Sequence, residues 1–216
     1  PIVMIGMLIF NTNKIGKAKS ILFFVTLFSS SVLLYSQSPK LQERVNFTIS
    51  EFNSIASGDL DSALSSGNRL YLWKAAYQSF GERPLFGLTY LEREKLNKEL
   101  YAEGSINEWA SGVKRGHAHS QYFEQLASGG ILGILSLLMT LAFPFLYFLK
   151  YRNTSNAAFV GTYFVLGFSI FCLTEVALQQ NLISTFYGYM LALFFAMTQL
   201  EVNQKSNNDG DLDDAV

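Results

Sequence analysis

The stretch GHAHSQYFEQLASGGILGIL (116–135) carries both histidines of the chain, and imidazole, with an unperturbed pKa of about 6.5, is the side chain best suited to exchange a proton near neutral pH. His117 and His119 stand at its polar end, and Gly130 and Gly133 stand where an apolar run begins. If that run is a membrane helix, two imidazoles are held at the bilayer surface. His119, Tyr122, Phe123 and Leu126 follow a helical repeat, which predicts that His119 shares a face with an apolar stripe. Taken alone, the blander reading of His119 is favoured: a helix-start histidine bonded to nearby backbone. The HxH spacing also raises a metal site, since the two side chains would share a face on a strand and diverge on a helix. No HExxH is present and the lone Cys172 lies in another apolar block, so no metal is assigned.

Arg69 is the second reactive candidate. In RLYLWKAAYQSF it shares a helical stripe with Trp73, Ala76, Tyr77 and Phe80, where a guanidinium is costly without an anionic partner. Its planar fork fits phosphate or carboxylate. A rim arginine paired with a loop carboxylate is the equal alternative. Glu175, within FVLGFSIFCLTEVAL, is a carboxylate near a membrane and therefore a functional candidate. Its place near the outer end favours a structural or gating role over a catalytic one. Arg83, Lys114 and Arg115 could neutralise a phosphorylated substrate, although solvated surface charges are the commoner case.

These residues need elements to hold them. The 216-residue chain is 50% hydrophobic with a net charge of -1, a balance that gives no reason to expect nucleic-acid binding. The apolar residues gather in blocks near the roughly 20 residues a spanning helix needs. Residues 1–17 read as the end of a transmembrane helix and a cytoplasmic loop, because the chain opens on Pro1 directly into IVMIGMLIF. The chain is thus expected to be the C-terminal part of a longer membrane protein, inactive alone. Spans are predicted at 18–36, 129–150, 157–178 and 182–200, with a cytoplasmic loop at 151–156 and a short outer turn at 179–181. Residues 37–128 form a large outer loop of mainly helical segments, and 201–216 a disordered acidic tail. Lys14, Lys17, Lys19, Lys150, Arg152 and Lys205 then fall on one side, as the positive-inside rule expects. Cys172 has no partner for an internal disulfide and reads as a packing residue.

His119-Ser120, nine residues, then Gly130-Ile131-Leu132-Gly133 resembles the H-[NSQ]-x9-G-x-x-G signature of the O-antigen ligase family. Arg69-x3-Trp73 followed by ERPLFG resembles that family's arginine motif in the same large periplasmic loop. Where some ligases continue with Thr and a second His, this chain has Ile134 and Leu137, and Thr89 replaces the second Gly of a P-x-x-G-x-G pattern. The resemblance implies an all-α, polytopic, GT-C-like glycan transferase of the bacterial inner membrane. Such enzymes move a glycan from undecaprenyl pyrophosphate to an acceptor hydroxyl, on a lipid A-core sugar in the ligases, without metal or other cofactor. Arg69 would bind the pyrophosphate and His119 would act as general base or orient the donor. Trp73, Arg83, Arg115, His117 and Glu175 are further candidates for substrate contact, and the helix start near His119 offers N–H groups to an anion. Polymerases and protein O-oligosaccharyltransferases share the superfamily, so glycan and protein acceptors are alternatives. A sensor or transporter is a weaker reading. These spans carry few of the midplane polar groups that a transporter uses.

Overall fold

The computed structural model describes residues 17–114 and 117–213, so the first helix end, Arg115 and the last three residues lie outside the described residues. Every regular element among the described residues is a helix. In chain order these are α1 (Lys17–Gln37), α2 (Pro39–Ala56), α3 (Ser66–Glu82), α4 (Tyr90–Ala102), α5 (Glu108–Gly112), α6 (Gln121–Tyr151), α7 (Asn156–Phe171) and α8 (Asn181–Asp213), with one 3-10 turn at Ala177–Gln179.

α1 turns through 99° into α2 at Ser38-Pro39. Proline disfavours helical backbone in the residue before it, and Ser38 is extended at φ -115. Its side chain accepts from Leu41 N–H at 3.3 Å, capping α2. Gln42 reaches back to donate to the carbonyls of Tyr35 and Ser36, closing the end of α1. Further on, the carboxylate of Glu51, buried in α2, accepts from Ser65 N–H at 2.5 Å and from the Ser66 hydroxyl at 2.7 Å. Burial would raise its pKa, but these bonds and the charge of Arg44 hold it below the ordinary glutamate value. The start of α3, the helix of Arg69, is thereby tied to α2.

α6, α7 and α8 pack side by side. Leu137 and Leu141 of α6, Phe168 of α7 and Tyr187 of α8 share one cluster with Cys172, and Phe148, Ala158, Val165 and Phe194 form a second. Gly161 permits this closeness, since a Cβ there would lie 2.9 Å from the Phe148 ring. Cys172 is wholly buried in the first cluster. Met139, Phe143 and Leu146 of α6 and Met197 and Leu200 of α8 point outward, as lipid-facing residues do.

α6 and α8 are each long and apolar enough to cross a bilayer, and α1 with α2 passes the same test as one bent pair. That makes two or three candidate spans where four were expected. α7 is apolar but has 16 residues, so its length of about 24 Å falls short of the roughly 30 Å hydrocarbon thickness. The helix stops at Phe171, not near 178, and Glu175 lies in the turn that follows it. α8 continues through Asp213, so helix replaces the disorder expected from 201.

Candidate active site

The site is built around a break in α6. Gly130 leaves helical geometry at φ 59 and ψ -147, splitting α6 into a short outer arm and the long apolar helix. Ile131 N–H, which would have bonded to Ala127 within a regular helix, donates instead to Pro84 O at 2.8 Å. Ala127 O in turn accepts from Leu88 N–H at 2.8 Å. The loop of ERPLFG has therefore inserted into the helix and satisfied both groups the break exposes. Two glycines make the approach possible. A Cβ on Gly130 would lie 2.3 Å from Pro84 O, and one on Gly87, itself at φ 68, would lie 2.5 Å from Ala127 O. Gly133 packs against the Gln125 carbonyl, where a Cβ would be 2.7 Å away.

The arm positions the histidines through the peptide between them. Ala118 N–H donates to Glu124 Oε2 at 2.9 Å, and Ala118 O accepts from Trp73 Nε1 at 2.8 Å. Glu124 is held by a bidentate pair with Arg93, at 2.6 and 3.1 Å, in which both side chains are largely buried. The Trp73 indole stacks on Phe123, with ring centroids 4.8 Å apart. Beneath these rings Ala76, Ala118 and Ala127 meet in one buried cluster. Trp73 is thus a clamp on the histidine segment rather than an open substrate contact.

His119 lies before the helix, not on it. Its φ of 48 is left-handed, an unusual conformation outside glycine, and Ser120 precedes α6 as its N-cap. The stripe predicted to carry it is also rotated: Gln121, Glu124 and Ala127 are buried, while Tyr122, Phe123 and Leu126 are half-buried. His119 N–H donates to His117 Nδ1 at 3.3 Å, and the two rings meet edge to face at 4.5 Å. Among the described residues no group of three or more His, Cys, Asp or Glu gathers that could hold a metal.

Arg69 and His119 line one open cleft of about 330 Å³, with Leu64, Ser65, Asn68 and Trp109. Arg69 is half-buried, and none of the ion pairs among the described residues uses it. Nδ1 of His119 is buried with no partner among the described residues. Burial above all, then the charges of His117 and Arg69, lower the His119 pKa, while Glu175 opposes them. The imidazole therefore favours its neutral, proton-accepting form. Glu175 reaches this neighbourhood because Gln121 ties down its turn: Gln121 N–H donates to Cys172 O and its Oε1 accepts from Leu178 N–H, both at 2.8 Å. That first bond also uses the leading N–H of α6, which was expected to be open to an anion.

Arg83 is placed elsewhere. It pairs with Glu92 at 2.9 Å on the surface, where Glu92 also closes the capping box of α4 with Thr89. The Arg93–Glu124 pair escaped the sequence reading. Arg93 sat among the charges of LEREK, and Glu124 shows as an inward residue only once the face of the arm is known.

Comparison with known proteins supplies a frame for this geometry. The family model described as "O-Antigen ligase" matches residues 2–138, which include Arg69, the ERPLFG loop, both histidines, Gly130 and Gly133. An uncharacterized protein of Haemophilus influenzae is 24% identical over 161 residues, covering 71% of this chain. The chain spans 38% of the length of that relative.

Proposed function

The chain belongs to the O-antigen ligase family, and from that premise we propose that it forms the catalytic portion of a glycan transferase using a lipid-linked donor. The donor is a glycan on undecaprenyl pyrophosphate and the acceptor a sugar hydroxyl, met at the periplasmic face of the inner membrane. The observation that carries this reading is that Arg69 and His119, distant in sequence, line the same cleft. The donor brings its own leaving group, so the protein has to position it, stabilise the growing negative charge and move one proton. An arginine that no ion pair among the described residues uses suits the pyrophosphate, whose charge rises as the anomeric C–O bond breaks. A neutral imidazole beside it suits the acceptor proton. Attachment to a lipid A-core sugar is the first assignment, with chain polymerisation or protein O-glycosylation by the same chemistry as the alternatives.

The test uses the full-length protein in cells lacking the native copy. Arg69→Ala and His119→Ala, each confirmed to reach the membrane, are expected to abolish surface glycan while lipid-linked glycan accumulates. A general base is typically worth about 10²–10⁴-fold in rate. Undiminished transfer by both variants would refute the assignment.

A further inference from the structure

A second cleft, of about 490 Å³, lies beside the first. Leu88, Thr89, Tyr90, Arg93, His117 and Gln179 are among its lining residues, and none of its lining belongs to the Arg69 cleft. Each cleft receives one of two imidazoles whose ring centroids are 4.5 Å apart. The two cavities thus adjoin at the histidine pair.

We propose that this second cleft binds the acceptor, as a neutral saccharide. The inference rests on the transferase reading above and adds the place where the second substrate sits. Charge separates the two cavities. Arg93 is neutralised by Glu124 through two bonds at 2.6 and 3.1 Å, whereas no ion pair among the described residues uses Arg69. A pyrophosphate therefore finds an uncompensated cation in the first cleft and a self-balanced pair in the second. Uncharged hydroxyls have the opposite preference, because a desolvated polar group needs a partner of matching hydrogen-bonding character, not net charge. The second cleft offers the Gln179 amide and the His117 imidazole, while the Thr89 hydroxyl at its edge is held by Glu92. Leu88 and the half-exposed Tyr90 ring give the apolar surface that the C–H face of a sugar can cover. Its volume lies within the roughly 300–1,000 Å³ of ordinary small-molecule sites.

The transfer step then has two substrates approaching the imidazoles from adjoining cavities. The acceptor oxygen bonds to the anomeric carbon, and the anomeric carbon–oxygen bond to the pyrophosphate breaks. Its electron pair departs on the undecaprenyl pyrophosphate, and the hydroxyl proton passes to imidazole.

Full-length protein in nanodiscs would be titrated with three probes. Two are saccharides, an outer-core oligosaccharide without carboxylate or phosphate groups and the glycan repeat freed from its lipid; the third is inorganic pyrophosphate. Saturation-transfer NMR would follow the saccharides and calorimetry the pyrophosphate. Gln179→Trp fills the cleft from an exposed turn whose backbone bond, Gln179 N–H to Val176 O, does not involve the side chain. It is expected to weaken saccharide binding by roughly tenfold or more and leave pyrophosphate binding within about twofold. Gln179→Ala, which removes the amide without filling space, is expected to weaken saccharide binding by roughly threefold. Arg69→Ala should do the reverse, losing pyrophosphate and keeping saccharide. Binding of either saccharide supports the proposal, and which one binds separates attachment to a core from chain extension. Equal saccharide binding by Gln179→Trp and the wild type would overturn it, as would absence of saccharide binding by the wild type. Pyrophosphate binding unaffected by Arg69→Ala would instead strike the transferase reading, so the two failures are distinct.

Discussion

Replacing Gly130 by alanine should damage the protein more than any other small change in the motif, and Gly129→Ala should do almost nothing. At φ 59 and ψ -147, Gly130 occupies a region that side-chain-bearing residues rarely enter. Holding alanine there costs about 1–3 kcal/mol. The new Cβ would also lie 2.3 Å from Pro84 O and 2.6 Å from Leu85 C, both backbone atoms of the inserted loop. Moving that loop away breaks the Ile131–Pro84 bond at 2.8 Å and threatens the longer Leu132–Leu85 bond at 3.4 Å. Each contributes about 0.5–1.5 kcal/mol. With both bonds lost the combined cost is about 2–6 kcal/mol. Gly129 has an ordinary conformation, and its Cβ would meet only the end of the flexible Gln125 side chain at 3.4 Å. Alanine in a helix is better than glycine by about 0.5–1 kcal/mol, so that variant should be neutral or slightly stabilised. Thermal unfolding of the full-length protein in detergent, with limited proteolysis of the 83–88 loop, measures both. Equal melting temperatures for Gly130→Ala and wild type would refute the argument that the loop and the broken helix lock together.

Other expectations follow from the same geometry. The acid limb of the pH–rate profile should lie below about 6.5, because burial lowers the His119 pKa and the neutral form persists to lower pH. Glu175→Gln should move that limb lower still, and His117→Gln should move it up; an acid limb unmoved by both variants would contradict the placement of these charges around His119. Glu124→Leu alone leaves Arg93 buried and unpaired and should cost about 3–5 kcal/mol, while the double change with Arg93→Met should recover much of it, as read by chemical denaturation. Trp73→Phe keeps the ring stack but removes the bond to Ala118 O, and should cost about 1 kcal/mol with a larger fall in kcat than in stability. Arg83→Ala breaks an exposed pair and should change stability by less than about 1 kcal/mol.

Local chemistry made much of this legible from residues alone. The repeat of RLYLWKAAYQSF announced α3, because periodicity acts within a few residues. Arg69 and His119 were also visible, since few side chains can do their chemistry. What stayed hidden depends on contacts between distant segments. His119 was expected on a helix face, but Glu124 and Trp73 hold its neighbouring peptide in an extended segment with left-handed geometry at His119. Glu175 was placed inside a span because hydropathy continues past Phe171, whereas the tie from Gln121 ends that helix early. Arg83 was kept below Arg69 as a further candidate for substrate contact, and the fold gives it a surface pair with Glu92 while Arg69 faces a cleft.

The exchange of hydrogen bonds at Gly130 also bears on how the chain is assembled. During synthesis the 83–88 loop emerges well before Ile131, so it is already waiting when the apolar part of α6 leaves the ribosome. An uninterrupted helix could form from its own residues at any time. This one leaves Ala127 O and Ile131 N–H without their partners until the loop packs against them. Closure of the break in α6 is thereby made conditional on the segment that follows α3 being in place. The glycine that shapes the site thus also ties together two segments made far apart in time.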